Sequence, residues 1–176
     1  MNLTRWRSQT LGLLVIGLLA GGCSRVANVM VTRSVAVTAA DDVCQKSVEV
    51  HLVGINRFEK DRWDNISMTE YWQPENPLRK SAAGYTYVIH FGDGPCKVTL
   101  DKKDPMVTVW EERQAEYLLV LADLPGVFQD LPGNADARRL QLPALDSAAW
   151  GWEKNIDIAV NNGDIVALVI PESNSE

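Results

Sequence analysis

Residues 48–52 (VEVHL) and 85–91 (YTYVIHF) decide the fold class of this chain. In both stretches every second residue is apolar, a period that is typical of a β-strand with one face in a core. Shorter runs of the same kind are found at 97–100, 107–111, 117–122, 138–142, 155–160 and 164–170. Turn-forming residues separate these runs, as Asn162-Gly163 does between the last two. The pattern predicts a mainly β chain, folded as a two-sheet β-sandwich of about seven or eight short strands.

One segment between the first two strands does not alternate. Residues 58–72 (FEKDRWDNISMTEYW) mix charged and aromatic side chains, and Ser67 and Glu70 have the spacing of a helix capping box. Pro74 and Pro77 should stop a helix that begins there, because proline has no amide hydrogen to donate. We therefore predict a short helical insertion after the early strand, with one or two helices in 59–73 and a return to the sheet over 74–84.

Composition limits the size and the partners of the protein. The chain has 176 residues, of which 46% are hydrophobic, so it can form one domain with a sizeable core. Its formal net charge is −6 and its pI is about 5.0. Because a nucleic-acid surface requires a basic patch, we expect no nucleic acid among the partners.

The first 23 residues have the layout of a signal peptide. Arg5 and Arg7 precede an uncharged run at 11–22, which ends at Cys23. This run of 12 residues is short for a membrane-spanning helix, which needs about 20, and a membrane anchor is the less favoured alternative. Residues 19–23 (LAGGC) resemble a bacterial lipobox, which implies that the chain is cut before Cys23 and that this cysteine carries the lipid.

The lipobox divides the chain into three parts. These are a signal peptide (1–22), a lipidated cysteine with a tether that ends in a strand (23–42) and a β-sandwich domain (43–176). Ser24 resembles the sorting signal of outer-membrane lipoproteins in Gram-negative bacteria. The acyl chains would then hold the protein stably on the outer membrane, with the domain on the periplasmic face.

Cys44 and Cys96 are the cysteines that remain after Cys23. In an oxidising compartment they can form a disulfide across 52 residues of sequence. The alternative is a pair of free buried thiols, since a sequence does not show whether two cysteines are close in space.

Neither histidine indicates a catalytic site. His51 and His90 stand at outward positions of their strands and have no recognisable nucleophile motif beside them. We expect both to be exposed or half-buried strand residues.

The acidic residues likewise do not indicate a catalytic or metal site. Oxygen ligands for calcium occur without the spacing of an EF-hand at Asp123, Asp130, Asn134 and Asp136. Carboxylates at 101, 104, 111 and 112 are interpreted as a solvated acidic face. The prediction is a protein that is not an enzyme and that uses neither a cofactor nor a metal.

Two features remain as candidates for binding. Trp63, Tyr71 and Trp72 cluster in the helical insertion, where they could cover a core, form a partner surface or stack on sugars. The motif Asp-Leu-Pro-Gly occurs at 123–126 and again at 130–133. Since each Pro-Gly suits a type II turn, we predict one long ordered loop after the strand at 117–122.

The layout of the whole chain resembles the outer-membrane lipoprotein of type VI secretion systems, the SciN/VasD/TssJ family. The shared layout comprises a lipobox cysteine, an early strand, a helical insertion, a hydrophobic strand followed by an exposed loop, and a final hairpin. The resemblance implies a transthyretin-like sandwich with a structural function. Such a lipoprotein would tether the membrane complex to the outer membrane and bind the periplasmic domain of an inner-membrane protein, TssM in that family.

The resemblance places the expected partner contacts on the loop 123–136. The residues expected to make these contacts are Asp123, Leu124, Pro125, Phe128, Asp130 and Leu131. The second choice is the helical insertion, with Trp63, Tyr71 and Trp72. The alternative function is an envelope lipoprotein that binds a small ligand or a cell-wall glycan through aromatic residues. A hydrolase that uses the carboxylates is the least favoured possibility.

Overall fold

Two four-stranded sheets pack face to face in the computed structural model, which describes residues 32–169. The first sheet has the strand order β4-β1-β7-β8 and the second has the order β3-β2-β5-β6. The strands are β1 (Ser34–Ala39), β2 (Val48–Ile55), β3 (Thr86–Phe91), β4 (Lys97–Leu100), β5 (Tyr117–Ala122), β6 (Arg139–Pro143), β7 (Asn155–Val160) and β8 (Ile165–Ala167). The predicted fold class, a mainly β two-sheet sandwich, is confirmed.

The two sheets differ in how their strands pair. The second sheet is antiparallel throughout, and Val50 of β2 lies opposite Ile89 of β3 and Ala122 of β5. In the first sheet β1 is antiparallel to β4 but parallel to β7, with Val37 opposite Ile158. Parallel neighbours need a long connection, and here that connection contains the whole second sheet. The first sheet therefore cannot form until chain segments far apart in sequence meet.

The main core lies between the sheets. It is formed by the inward residues of both layers, including Val35, Val37, Val50, Leu52, Leu118, Val120, Ile156 and Ile158. Burial of an aliphatic side chain of this size contributes roughly 1.5–3 kcal/mol, so this layer dominates the stability of the domain.

A second apolar cluster lies on the outer face of the second sheet. There Val53 and Ile55 of β2 and Leu119 and Leu121 of β5 pack against Trp63, Met68, Tyr71 and Leu78. Because β2 and β5 are covered on both faces, the run at 117–122 is continuously hydrophobic instead of alternating.

Five short α-helices accompany the sheets in the described part of the chain. They are α1 (Asp41–Cys44), α2 (Lys60–Asp64), α3 (Met68–Tyr71), α4 (Pro77–Ala82) and α5 (Pro105–Glu112). We call α2, α3 and α4 the helical layer, because they cover the outer face of the second sheet. Single 3-10 turns occur at Ala83–Tyr85, Gly133–Ala135 and Ala148–Trp150. Among residues 32–169, no helix is long and apolar enough to cross a membrane.

The predicted insertion is confirmed over its first half. Helices α2 and α3 lie within 59–73, and the Ser67 hydroxyl accepts a hydrogen bond from the Glu70 amide at 3.0 Å, as the capping box predicts. The predicted return to the sheet over 74–84 is wrong, because that stretch contains α4. Pro77 occupies the first turn of α4, where its missing amide hydrogen costs nothing, and the Asn76 side chain caps the helix.

The strand predicted at 107–111 is also wrong, since these residues belong to α5. The Asp104 carboxylate accepts from the Met106 amide at 2.8 Å, and Pro105 again stands in the first helical turn. The buried residues Val107 and Trp110 are three apart, which is a helical period. The β-branched residues in this stretch favour a strand only weakly, and the helix start signal outweighs them.

The two ends of the sandwich carry different segments. Thr32, just before β1, lines the same small cavity as Gly54 and Tyr117, and we call this the N-terminal end. At the opposite end the Asp123 amide donates to the Glu49 carbonyl at 2.9 Å, where β5 leaves the sheet and β2 enters it. We call this the loop end. The chain therefore enters the domain at one end, and the long loop leaves β5 at the other.

A disulfide closes the loop end. Cys44 of α1 is bonded to Cys96, with the two Cα atoms 5.2 Å apart, as predicted. The segment 23–42 contributes β1, which lies between β4 and β7 as an interior strand of its sheet. The signal peptide, Cys23 and the first part of the tether lie outside the described residues.

Candidate partner-binding surface

Backbone geometry shapes the loop that follows β5. Gly126 and Gly133, the glycines of the two Pro-Gly pairs, have φ values of 140° and 53°. Residues with a Cβ atom rarely adopt such φ values, so both turns favour glycine. Gly133 then begins the 3-10 turn Gly133–Ala135, in which the Asp136 amide donates to its carbonyl.

Arg138 fastens the two halves of this loop to each other. Its Nε donates to Asp136 Oδ1 at 3.0 Å and its Nη2 to Asp136 Oδ2 at 2.8 Å, a bidentate pair. The same Nη2 also donates to Asp130 Oδ1 at 2.5 Å. Asp130 and Asp136 flank the second Pro-Gly turn, and two of the carboxylates considered as calcium ligands are therefore bound by a guanidinium.

Asp130 also joins the loop to the helical layer. Ser67 Oγ donates to Asp130 Oδ2 at 2.6 Å, and the Thr69 amide and hydroxyl each donate to Oδ1 at 3.0 Å. The structure thereby brings together two regions that are more than 60 residues apart in sequence. The loop is therefore in direct contact with the helical insertion at Ser67 and Thr69.

The carboxylates of this network stay ionised at neutral pH. Burial by itself raises the pKa of Asp130, but hydrogen bonds from Ser67, Thr69 and Arg138 outweigh it and lower the pKa well below its usual range. Burial likewise opposes ionisation of Asp136, and hydrogen bonds from Arg138 again make its pKa lower than usual. The loop is therefore clamped throughout the physiological pH range.

An open cleft of about 460 Å³ lies between the loop and the helical layer. Trp72 and Phe128 line it together with Asp123 and Arg138. The Arg138 guanidinium lies 5.3 Å from the centre of the Phe128 ring, within the range of a cation–π contact. Burial, followed by repulsion from Glu49, raises the pKa of Asp123. The cleft thus combines two aromatic side chains with one acidic and one basic group.

Exposure separates the predicted contact residues into three groups. Asp123, Pro125, Asp130 and Leu131 are exposed, Phe128 and Trp72 are half-buried, and Leu124 is buried beneath the loop. Two residues of this surface were not predicted, namely Val127, which is fully exposed, and Arg138, which binds Asp130 and Asp136 of the loop. The signal for Val127 in the sequence is an apolar residue directly after a Pro-Gly turn, where the chain is expected to be exposed.

Trp63 and Tyr71 are not available to a partner. Both are fully buried in the second apolar cluster, between the helical layer and the outer face of β2 and β5. These two residues are therefore core residues, as one of the alternatives had it. They cover the outer face of the second sheet and not the open end between the two sheets.

The expectation for His51 is wrong, because this outward residue is only 3% exposed. The helical layer covers its face of β2 and brings the Tyr71 hydroxyl to 2.7 Å from Nδ1. On the other side, Nε2 lies 2.5 Å from Glu49 Oε1. A carboxylate only accepts, so Nε2 carries the hydrogen and Nδ1 accepts from Tyr71. His90 is exposed, as expected.

Burial lowers the pKa of His51 in spite of the neighbouring Glu49 carboxylate. Glu49 is also bound by Arg79, whose Nη2 lies 2.6 Å from Oε1 and whose guanidinium lies 5.2 Å from the centre of the Trp72 ring. This chain of hydrogen bonds links the helical layer to the sheet, and within it Tyr71 and His51 are buried whereas Glu49 and Arg79 are partly exposed.

No protein-family model matches the chain, and no curated protein matches its sequence. The chain is similar in fold to structures from type VI secretion systems. The C-terminal domain of the type VI secretion protein TssM from EAEC is 15% identical, with a TM-score of 0.49, over 78% of this chain and 100% of that one. Serratia marcescens Lip, a membrane-bound component of the system, is 12% identical, with a TM-score of 0.46, over 78% and 96%. The lipoprotein TssJ1 from Pseudomonas aeruginosa is 12% identical, with a TM-score of 0.43, over 80% and 98%.

Proposed function

We propose that the protein is an outer-membrane lipoprotein that acts as a structural tether in an envelope complex, the membrane complex of a type VI secretion system. Acyl chains on Cys23 hold it to the outer membrane. The loop 123–136 binds the periplasmic domain of an inner-membrane protein that resembles TssM. The protein performs no chemical reaction in this function.

The observation that carries the proposal is the position of the clamped loop. It leaves β5 at the loop end, opposite the N-terminal end where the chain arrives from Cys23. A tether needs its two attachment sites on different faces, and a domain that the chain enters at one end and whose long loop leaves at the other end supports such a function. The lipobox and the layout of the sequence support the anchor.

The loop has the properties of a preformed docking site. Val127 and Leu131 expose apolar side chains, whereas Asp130 and Asp136 fix the backbone between and after them. Since the loop is already ordered, a partner binds it without a large entropic cost. Exposed apolar groups beside polar ones are typical of protein-binding surfaces.

The test is co-purification from the native envelope after cross-linking. The mature protein with Cys23 intact should recover a large inner-membrane protein, and Val127→Asp combined with Leu131→Asp should lose it. Both side chains are exposed, so the double variant should fold. Leu168→Asp, which changes an exposed apolar residue outside the loop, should retain the partner.

Recovery of the same partner with the loop variant would contradict the proposed site. Recovery of no protein partner by the wild type would contradict the tether function itself. Mass spectrometry of the mature protein tests the anchor separately, because Cys23→Ser should lose the acyl chains.

The cleft favours a second candidate function, the binding of a small ligand or a cell-wall glycan. Aromatic faces next to a carboxylate and a guanidinium, as at Trp72, Phe128, Asp123 and Arg138, suit a ligand with hydroxyl groups. Peptidoglycan fragments that bind the wild type, bind the Leu131→Asp variant, whose changed residue is not among those that line the cleft, and fail to bind Trp72→Ala would favour this function over the tether.

A further inference from the structure

The N-terminal end exposes two large aromatic side chains. Phe58 is 90% exposed and Trp152 is 99% exposed. Of the other tryptophans in residues 32–169, Trp63, Trp110 and Trp150 are buried and one is half-buried in the cleft. Tryptophan combines a large apolar ring with a polar N–H group, so it suits a surface where water meets an apolar phase.

Trp152 is held at the point where the chain enters the domain. It lies in the connection between β6 and β7, and Arg33 binds the carbonyls on either side of it. Arg33 Nη2 donates to the Gly151 carbonyl at 2.8 Å and Nε to the Glu153 carbonyl at 2.7 Å. Since Arg33 directly precedes β1, Trp152 is fixed beside the segment that leads back to Cys23.

Phe58 belongs to the same end of the sandwich. Its neighbour Arg57 pairs with Glu116, Nε to Oε1 at 2.7 Å, just before β5 begins. The Ala144 amide then donates to the Glu116 carbonyl at 3.0 Å, which places the start of the β6–β7 connection beside this pair. Both exposed aromatic residues therefore belong to the N-terminal end, one near each sheet.

The sequence places this end close to the membrane. Thr32 follows Cys23 by nine residues, which span at most about 30 Å when fully extended. A lipidated Cys23 would therefore keep the N-terminal end within about 30 Å of the bilayer surface. Tryptophan and other aromatic side chains favour the headgroup region of a membrane, where an apolar ring meets polar surroundings.

Charge at this end does not select anionic lipids. The segments at this end carry exposed side chains of both signs, namely Arg57, Lys102, Lys103 and Lys154 with Asp101, Glu111, Glu112 and Glu153. The binding energy would therefore come from the aromatic groups and not from a basic patch.

We infer that the N-terminal end rests on the lipid surface, with Trp152 and Phe58 in the headgroup region of the bilayer. The inference depends on the proposed anchor at Cys23. Two contact points beside the anchor fix the orientation of the domain. The loop end then points away from the membrane, towards a partner in the periplasm.

The experiment uses the full lipidated protein in phosphatidylcholine vesicles that contain lipids brominated near the headgroup. Bromine quenches tryptophan fluorescence at short range, and Trp6 is lost with the signal peptide. The wild type should show a quenched component, which Trp152→Ser should abolish while the protein stays on the vesicles. Phe58→Ser should reduce the quenching, and Val127→Ser at the loop end should leave it unchanged.

The outcomes distinguish the anchor at Cys23 from the contact of the N-terminal end with the membrane. A protein without acyl chains by mass spectrometry contradicts the anchor at Cys23, and with it the tether. A lipidated protein whose fluorescence is not quenched, or is quenched equally in Trp152→Ser, overturns the membrane contact alone. If a co-purified protein covers Trp152 and keeps it from being quenched by the brominated lipid, the membrane contact is also overturned.

Discussion

Arg139 is an example of a buried charge that binds backbone carbonyls and not carboxylates. Its Nη1 donates to the carbonyls of Trp63 at 2.6 Å and Asp64 at 2.7 Å, and its Nη2 donates to that of Ile66 at 2.6 Å. The last carbonyls of a helix have no partner within it, and those of α2 are covered by the protein. Arg139 of β6 supplies the donors, and so fixes the link between α2 and α3.

Replacing this residue should destabilise the domain. A hydrogen bond with a charged group contributes about 1.5–3 kcal/mol, and Arg139→Met leaves three carbonyls unpaired, so we expect a loss of about 3 kcal/mol in urea unfolding. Arg62→Met changes an exposed arginine of α2 and should stay within about 0.5 kcal/mol of wild type. Equal stability of the two variants would show that the carbonyls find other donors.

His51 should make stability depend on pH. Burial lowers the pKa of His51 in the folded protein. As the pH falls through about 6.5, His51 therefore becomes protonated in the unfolded chain but stays neutral in the folded protein. The contribution of His51 to the free energy of unfolding is fully present above pH 6.5 and is lost as the pH falls towards the pKa of His51 in the folded protein. The groups that face the ring are Glu49 of β2, Tyr71 and Arg79 of the helical layer and His90 of β3.

Urea unfolding at pH 7.5 and pH 5.5 measures this effect. His51→Gln keeps a donor and an acceptor but does not titrate, and it should show a smaller loss between the two pH values than wild type. The matched variant His90→Gln removes the exposed histidine and should keep the wild-type loss. An unchanged loss in His51→Gln would assign the pH dependence to other groups.

At the scale of the elements, β2 and α5 approach each other closely at a glycine. A Cβ atom at Gly54 would lie 2.4 Å from Cγ of Trp110, well inside contact distance. Trp110 has little room to retreat, because its Nε1 donates to the Tyr85 carbonyl at 2.8 Å. The inward face of β2 therefore needs glycine where α5 packs over the end of the sheet.

Gly54→Ala should cost about 1–3 kcal/mol in unfolding free energy, as overpacking of a core does. Gly84→Ala is the matched control, since its Cβ atom would meet nothing within 4 Å and its φ is not positive. That variant should be neutral or slightly more stable, by up to about 1 kcal/mol. Thermal unfolding that ranks the two variants in the reverse order would contradict the packing argument.

At the scale of the whole molecule, distant segments close both ends of the sandwich. At the loop end the disulfide between Cys44 and Cys96 joins α1 to the start of β4. Lys46 reaches the β7–β8 hairpin through Asn162, at 2.7 Å. At the N-terminal end Arg33 holds the β6–β7 connection. Contacts between distant segments of the chain thus hold both the end that carries the exposed loop and the end that carries the exposed aromatic residues.

Loss of the disulfide should lower the free energy of unfolding. A cross-link over 52 residues stabilises by about 4 kcal/mol in the chain-entropy estimate. We expect the double variant Cys44→Ser with Cys96→Ser to lose a comparable amount in urea unfolding of the mature protein. Cys23→Ser removes a cysteine outside this loop and should leave the unfolding free energy unchanged.

The sequence by itself determined the elements whose signals are local. The alternation at 48–52 and 85–91 indicated β2 and β3, and the capping box at Ser67 indicated α3. The same kind of signal was present for α5, because Asp104 and Pro105 mark a helix start, but β-branched residues masked it. The count of cysteines and the compartment implied by the lipobox predicted a disulfide between Cys44 and Cys96 but left two free thiols as the alternative, and the structure decided between them.

Only the tertiary structure decided which faces are covered. A period of two shows that the two faces of β2 differ, but not that α2, α3 and α4 cover the outer one and bury His51. The candidate surface likewise depends on Asp130 meeting Ser67 and Thr69 across more than 60 residues of sequence. Local patterns report backbone geometry, whereas burial and binding surfaces depend on contacts between segments that are distant in the chain.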